Sequence, residues 1–139
     1  MNATILGQNG WQQEKKTALV VDDQEPVRMF VAGVLVRAGF ATLVADCAEQ
    51  AIETAHAHRG LIDVVVSDLQ MPGMSGIEGS RELVRHRPAL KVLIMTGADL
   101  ASVKVDSGWL LIGKPFTSDR LLAAVSTILN DEIVAAHHA

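Results

Sequence analysis

The chain contains the stretch Leu61-Ile62-Asp63-Val64-Val65-Val66-Ser67-Asp68, followed at once by Leu69-Gln70-Met71-Pro72-Gly73-Met74-Ser75-Gly76. The β-branched first half predicts a buried strand, and the proline and glycines of the second half end its pairing. Asp68 is therefore predicted at the edge of a sheet, directly before a turn. A carboxylate in that position is a candidate reactive group.

Three other apolar runs also end in polar side chains. These are Asp22 and Asp23 after residues 18–21, Thr96 after residues 92–95, and Lys114 after residues 110–113. Any one of the acidic or hydroxyl residues could simply cap the helix that follows it. Ligands, however, bind outside the carboxyl ends of the strands of a parallel sheet. The repetition at four strand ends therefore favours a single shared pocket.

Helical patterns alternate with these strands. Residues 41–45 supply a fifth strand, and capping-box-like pairs at Asp46 with Glu49 and at Ser75 with Glu78 predict the starts of two helices. Thr117 or Ser118 is expected to cap the last helix. The alternation predicts an α/β fold, a doubly wound five-stranded parallel sheet with helices on both faces.

Composition restricts the functional classes. A chain of 139 residues, 49% hydrophobic and 20% charged, suits one globular domain. A net charge of -4 without clustered Lys and Arg argues against a nucleic-acid partner. The single cysteine, Cys47, allows no intramolecular disulfide and is expected to act as a small apolar residue, which fits a cytoplasmic location.

The polar segment 1–16 has neither the apolar core of a signal peptide nor the length of a membrane span. We expect it to be a flexible tail, with Trp11 a candidate for a contact in a homodimer, and we expect no membrane partner. Residues 17–134 are predicted to form the domain, and residues 135–139 to fray.

The predicted pocket favours phosphoryl transfer with a magnesium ion. Three carboxylates within a few ångströms repel, by roughly 4 kcal/mol for a pair about 4 Å apart at an effective dielectric near 20. A set of oxygen ligands without His or Cys favours Mg²⁺. Asp68 would be the nucleophile that forms an acyl phosphate, while Thr96, Lys114 and the metal each contact one phosphoryl oxygen.

Four motifs occur in order: Val20-Val21-Asp22-Asp23, Asp68 to Gly76, Met95-Thr96-Gly97 and Lys114-Pro115-Phe116. Through them the chain resembles the receiver domain of bacterial two-component response regulators, from about Thr17 to the last helix. The resemblance implies a flavodoxin-like sheet with strand order 2-1-3-4-5.

The resemblance also implies roles for individual residues. Asp68 would be the phosphoacceptor, and Mg²⁺ would be held by Asp23, Asp68 and the backbone carbonyl of Gln70, with Asp22 assisting through water. Thr96 would be the switch hydroxyl and Lys114 the partner of the phosphoryl group. The remaining residues would shape the loops: Pro72, Gly76, Gly97, which leaves room for the donor, and Pro115, which usually follows a cis peptide bond.

For three of these residues, interpretations without a role in the site stay open. Asp22 could be the N-cap of the first helix, and Lys114 could be a surface lysine. The side chain of Gln70 could either screen attacking water or simply face solvent.

The implied function is that of a phosphorelay receiver. It would take phosphate from a histidine kinase or a histidine phosphotransfer protein, lose it slowly by hydrolysis, and signal through protein contacts without a DNA-binding output domain. It would not be a turnover enzyme.

Two departures from the receiver pattern are visible. Receivers often carry an aromatic residue three positions before the lysine, where this chain has Leu111; Trp109 is predicted on the same strand and face. The interval between Thr96 and Lys114 is also shorter than receivers usually provide, so the fourth helix is predicted to be short or irregular.

Two alternative functions remain. Phosphatases of the haloacid dehalogenase type also use an aspartate nucleophile with Mg²⁺, but they need a second aspartate where this chain has Gln70. An interaction module that is never phosphorylated is the other. Flavin binding is disfavoured because the acidic first loop would repel a ligand phosphate.

Overall fold

Mainly apolar runs form the strands, and the segments that follow them form the helices. In this computed structural model, residues 15–130 are described. The strands are β1 (Thr17–Val21), β2 (Ala41–Ala45), β3 (Val64–Asp68), β4 (Lys91–Thr96) and β5 (Leu110–Gly113). The α-helices are α1 (Glu25–Arg37), α2 (Ala48–Ala57), α3 (Gly76–His86) and α4 (Ser118–Leu129). The predictions for Trp11, most of the segment 1–16, and residues 135–139 lie outside the described residues.

All strand pairs are parallel, in the order β2-β1-β3-β4-β5. This confirms the predicted flavodoxin-like topology. The register pairs Val21 with Ser67, Asp68 with Met95, and Thr96 with Gly113. The carboxyl ends of β1, β3, β4 and β5 therefore lie at one edge of the sheet.

The sheet has an apolar layer on each face, because successive side chains of a strand point to opposite sides. On one face, Val20 and Val66 pack with buried residues of α1 and α4. On the other, Leu19 and Val65 pack with α2 and α3. All residues of β1 and β3 are buried, so the strands that end in the acidic residues have little freedom to move.

Two helices begin at the residues predicted from the sequence, and a third does not. Ser75 and Glu78 form the predicted capping box of α3, and Thr117 caps α4. The prediction of an Asp46 cap for α2 is wrong, because the N-cap is Cys47, whose Sγ accepts from the Gln50 backbone N–H at 3.4 Å. Cys47 thus acts through its sulfur at a helix terminus and not as a buried apolar residue.

The region between β4 and β5 contains only one short helical element, the 3₁₀ turn Leu100–Ser102. This confirms the short or irregular fourth helix. Arg81 of α3 holds the segment through a bidentate pair with Asp106, with Nη2 2.8 Å from Oδ1 and Nε 3.0 Å from Oδ2. Trp109 precedes β5 and is not part of it, which corrects the predicted strand, but it packs on the same side of the sheet as Leu111.

No helix among residues 15–130 is both long enough and apolar enough to span a membrane.

Gly76, the first residue of α3, lies where a Cβ would overlap the Asp68 carbonyl oxygen and approach Ser67 Oγ to 2.9 Å. We expect Gly76→Ala to lower the free energy of unfolding by about 1–3 kcal/mol, because backbone cannot move aside cheaply. Gly33→Ala is the matched control: its Cβ meets only the flexible end of Arg37, and alanine favours the helix by about 0.5–1 kcal/mol. Urea unfolding measures both changes, and a neutral Gly76→Ala would contradict the packing described.

Candidate functional site

Asp22, at the end of β1, is fully buried and hydrogen-bonded on both carboxylate oxygens. Oδ1 accepts from the Gln24 backbone N–H at 2.9 Å, and Oδ2 lies 3.2 Å from Lys114 Nζ. The N-cap position of α1 is Gln24, not Asp22. Asp22 therefore does not cap α1, and its carboxylate is paired with Lys114 instead.

Asp68, at the end of β3, is 8% exposed, and its Oδ1 lies 3.0 Å from Lys114 Nζ. One ammonium thus contacts two carboxylates from two neighbouring strands. Lys114 itself is held by its backbone N–H, which donates to the Thr96 carbonyl at 2.7 Å, and the Lys114–Pro115 peptide bond is cis as the resemblance implied. The Lys114 side chain is therefore partly buried and paired with two carboxylates, which a free surface lysine would not be.

Carboxylate oxygens of Asp22, Asp23 and Asp68 all lie within 4.8 Å of one another. Asp23 is exposed, and its carboxylate accepts no hydrogen bond from the described part of the chain. Three carboxylates face one ammonium, so the cluster carries excess negative charge. Oxygen-only donors in such a cluster fit Mg²⁺, which takes one or two carboxylates and keeps several waters.

The environment shifts the pKa of both partners of the ion pair. Burial raises the pKa of Asp68; the hydrogen bond from Lys114 opposes that change, and the charge on Asp22 adds to it. Burial alone would lower the pKa of Lys114, but the hydrogen bonds to Asp68 and Asp22 raise it above its usual value. Lys114 therefore stays charged at neutral pH.

A cavity of about 230 Å³ opens above these groups. Its lining residues are Asp23, Gln24, Asp68, Leu69, Gln70, Thr96, Gly97 and Lys114. The structure thus brings the predicted reactive side chains together with Gln70 and Gly97 at one edge of the sheet. A second cavity, of about 490 Å³, adjoins this one at Lys114 and is mainly apolar, with Pro115, Phe30 and Phe116 in its wall.

Thr96 is buried at the end of β4, and its hydroxyl oxygen accepts from the Ala98 backbone N–H at 3.0 Å. The hydroxyl hydrogen remains available to a group in the cavity. A Cβ on Gly97 would meet nothing within 4 Å, so the space beside Thr96 is open. The predicted hydroxyl donor is therefore next to an accessible volume.

Gly76 and Pro72 have different places in the loop that follows Asp68. The Gly76 backbone N–H donates to the Leu69 carbonyl at 2.8 Å, which closes the loop after Asp68. Pro72 lies exposed in the turn of that loop, next to Gly73, whose φ of +81° favours glycine.

Two contacts at the site were not predicted from the sequence. Arg28 Nη1 donates to the Asp22 carbonyl at 2.8 Å, and Glu49 Oε2 accepts from the Met74 backbone N–H at 3.4 Å. A basic residue one turn into the helix after the acidic pair was the available signal for Arg28. Glu49 was assigned to a capping box that does not form.

A family model described as response regulator receiver domain matches residues 18–126. The chemotaxis protein CheY of Bacillus subtilis is 31% identical over 117 residues, covering 81% of this chain and 96% of that protein. The sensor kinase CckA of Brucella abortus is 30% identical over 120 residues, covering 84% of this chain. The chain spans only 13% of the length of CckA, and 51% of the regulatory protein PhoP of B. subtilis.

Solved structures agree in fold. The response regulator receiver protein from Sinorhizobium medicae WSM419 superposes with a TM-score of 0.75 and 29% identity, covering 84% of this chain and 96% of that one. A receiver domain protein from Clostridium thermocellum gives a TM-score of 0.74 and 25% identity, covering 86% and 98%.

Asp68→Asn should stabilise the protein in the absence of divalent ions. Because the pKa of Asp68 is raised on folding, the folded protein holds more protons than the unfolded chain between the ordinary and the raised pKa. The free energy of unfolding therefore falls as pH rises through that window, and this loss persists at pH 7. Asparagine removes the repelling charge without changing the shape of the side chain.

Urea unfolding in EDTA at pH 7 and at a pH below the ordinary carboxyl pKa measures this effect. We expect the free energy of unfolding of Asp68→Asn to be higher than that of the wild type at pH 7. At the lower pH the two values should be equal. Asp119→Asn, at an exposed carboxylate in the first turn of α4, is the control and should show no such gain. A destabilised Asp68→Asn at pH 7 would contradict the electrostatic description of the site.

Proposed function

The chain belongs to the response regulator receiver domain family, and from this membership we propose that it accepts a phosphoryl group on Asp68 in a Mg²⁺-dependent reaction and signals through protein contacts. The observation that carries the proposal is the position of Lys114 Nζ, 3.0 Å from Asp68 Oδ1 and 3.2 Å from Asp22 Oδ2. This contact holds a nucleophile and a cation together beside an open cavity.

Asp68 Oδ2 is the attacking atom in this proposal. Lys114 occupies Oδ1, whereas Oδ2 accepts no hydrogen bond from residues 15–130. Oδ2 forms a bond to phosphorus as the phosphorus–nitrogen bond of a phosphohistidine donor breaks, and the electron pair of that bond returns to the imidazole. The Lys114 ammonium, next to Oδ1, then lies within reach of a phosphoryl oxygen and offsets its charge.

The acidic cluster is the proposed magnesium site. Asp23, Asp68 and the Gln70 carbonyl would hold the ion, with Asp22 acting through water. Bound Mg²⁺ supplies charge neutralisation and orients the phosphoryl oxygens. Asp23 suits a ligand role because its exposed carboxylate has no competing bond within the described residues, whereas both oxygens of Asp22 are already occupied.

Thr96 and Gly97 complete the proposed phosphoryl site. The Thr96 hydroxyl would turn its hydrogen to a phosphoryl oxygen, and the open space at Gly97 would admit the donor. The side chain of Gln70 is exposed at the cavity, where it would screen attacking water. With Leu111 in place of an aromatic residue, the readout of the phosphorylated state would not depend on a flipping ring.

The proposed donor is a histidine kinase or a histidine phosphotransfer protein, and the proposed output is contact with a further protein. We place the receiver unit at residues 17–134 in the cytoplasm, with a homodimer among the candidate assemblies. The acyl phosphate would be lost slowly by hydrolysis, so the domain is a signalling carrier and not a turnover enzyme. Gln70 stands where a dehalogenase-type phosphatase needs its second aspartate, and it leaves that function without support.

Incubation with acetyl phosphate and Mg²⁺ should add one phosphoryl group, measured by intact mass. Asp68→Asn should add none, because the nucleophile is missing. Lys114→Ala should slow the addition by roughly 100-fold, the usual effect of removing one stabilising group from a developing oxyanion. Asp119→Asn, at an exposed carboxylate that does not line the cavity, should react like the wild type. A phosphoryl group that persists in Asp68→Asn would overturn the assignment.

Mg²⁺ should raise the thermal unfolding midpoint of the wild type because it binds the folded site. At a concentration 100 times its Kd, Mg²⁺ would raise the free energy of unfolding by about 2.7 kcal/mol. Asp23→Asn should lose most of this gain, whereas Glu53→Gln, at an exposed carboxylate on α2, should keep it. An equal gain in Asp23→Asn and in the wild type would remove Asp23 from the metal site.

A further inference from the structure

Arg28 lies on α1, and its side chain makes one hydrogen bond to the acidic loop after β1. Its side chain is partly buried, and Nη1 donates to the Asp22 backbone carbonyl at 2.8 Å. Its backbone N–H donates to the Gln24 carbonyl at 3.0 Å, which fixes the base of the side chain at the first turn of the helix. Arg28 therefore ties α1 to the peptide that follows β1.

The bonded carbonyl belongs to the peptide plane shared by Asp22 and Asp23. Because the peptide unit is planar, holding its oxygen also fixes the direction in which the chain enters Asp23. The Asp23 carboxylate has no hydrogen bond of its own among the described residues. Its orientation toward Asp68 thus depends on the backbone that carries it.

The other contacts of this loop act on Asp22. Its backbone N–H donates to the Ala45 carbonyl at 3.2 Å, and its side chain contacts Gln24 and Lys114. These bonds hold the residue before the shared peptide plane. The bond from Arg28 acts on the carbonyl of that plane, and a charged donor makes it stronger than a neutral bond.

We infer that Arg28 is a positioning residue for the metal site: it sets Mg²⁺ affinity by orienting Asp23 through the Asp22–Asp23 peptide plane. This inference rests on the proposed function. Arg28 is not among the residues that line the cavity proposed to receive the phosphoryl group. Its loss should therefore weaken metal binding and leave the chemical step intact once the metal site is filled.

The test titrates the 139-residue chain with Mg²⁺ by calorimetry and measures the acetyl phosphate reaction across Mg²⁺ concentrations. Arg28→Ala should raise the Kd for Mg²⁺ about tenfold, whereas its phosphorylation rate at saturating Mg²⁺ should stay within about twofold of the wild type. Arg28→Lys keeps a charged donor, so its Kd for Mg²⁺ should lie between those of the wild type and Arg28→Ala. Arg37→Ala, at an exposed arginine in the last turn of the same helix, is the control.

Each outcome decides the inference. A folded Arg28→Ala that binds Mg²⁺ like the wild type overturns it, and so does a rate loss that persists at saturating Mg²⁺, because that would place Arg28 at the reaction itself. If Arg28→Ala does not fold, a wild-type Kd in Arg28→Lys and Arg28→Gln overturns it, and a graded rise supports it. A wild type without Mg²⁺ affinity would overturn the proposed function as well, which separates the two failures.

Discussion

The ammonium of Lys114 between Asp22 and Asp68 is the interaction on which the site depends. It joins the ends of β1, β3 and β5, and it offsets part of the repulsion among carboxylates buried close together. Removing Lys114 would leave two buried carboxylates without a compensating charge, and breaking a buried ion pair in this way typically costs about 3–5 kcal/mol. The pair is thus both a structural tie between loops and the positive part of the reactive centre.

The sheet positions the side chains for that interaction. The crowded carboxylates of the site in turn lower the stability of the fold. Complete burial of β1 and β3 fixes where their last residues project. Burial raises the pKa of Asp68 and the charges of Asp22 and Asp23 add to that rise, so Lys114 offsets only part of the cost of ionising the site. The remaining negative charge is what a divalent cation would neutralise, and the strain of crowded like charges is typical of functional sites.

The sequence was sufficient to predict those parts of the structure that the burial of apolar residues decides. The carboxyl ends of parallel strands lie at one edge of a sheet, so the polar residues after β1, β3, β4 and β5 had to meet there. It was not sufficient where two neighbours compete for one local role, as with Asp46 and Cys47 at the start of α2. Nor did it show the contact of Arg28, since a long flexible side chain has many rotamers and only the folded environment selects one.

Locating the acyl phosphate chemically is the most direct test of Asp68 as the acceptor. Borohydride reduces an aspartyl phosphate to homoserine, so the phosphorylated protein can be reduced, digested and sequenced by mass spectrometry. We predict a single homoserine, at position 68, formed only when Mg²⁺ and the phosphodonor are both present. Homoserine at position 22 or 23, or none at all, would contradict the claim that the lysine-bound carboxylate of β3 is the acceptor.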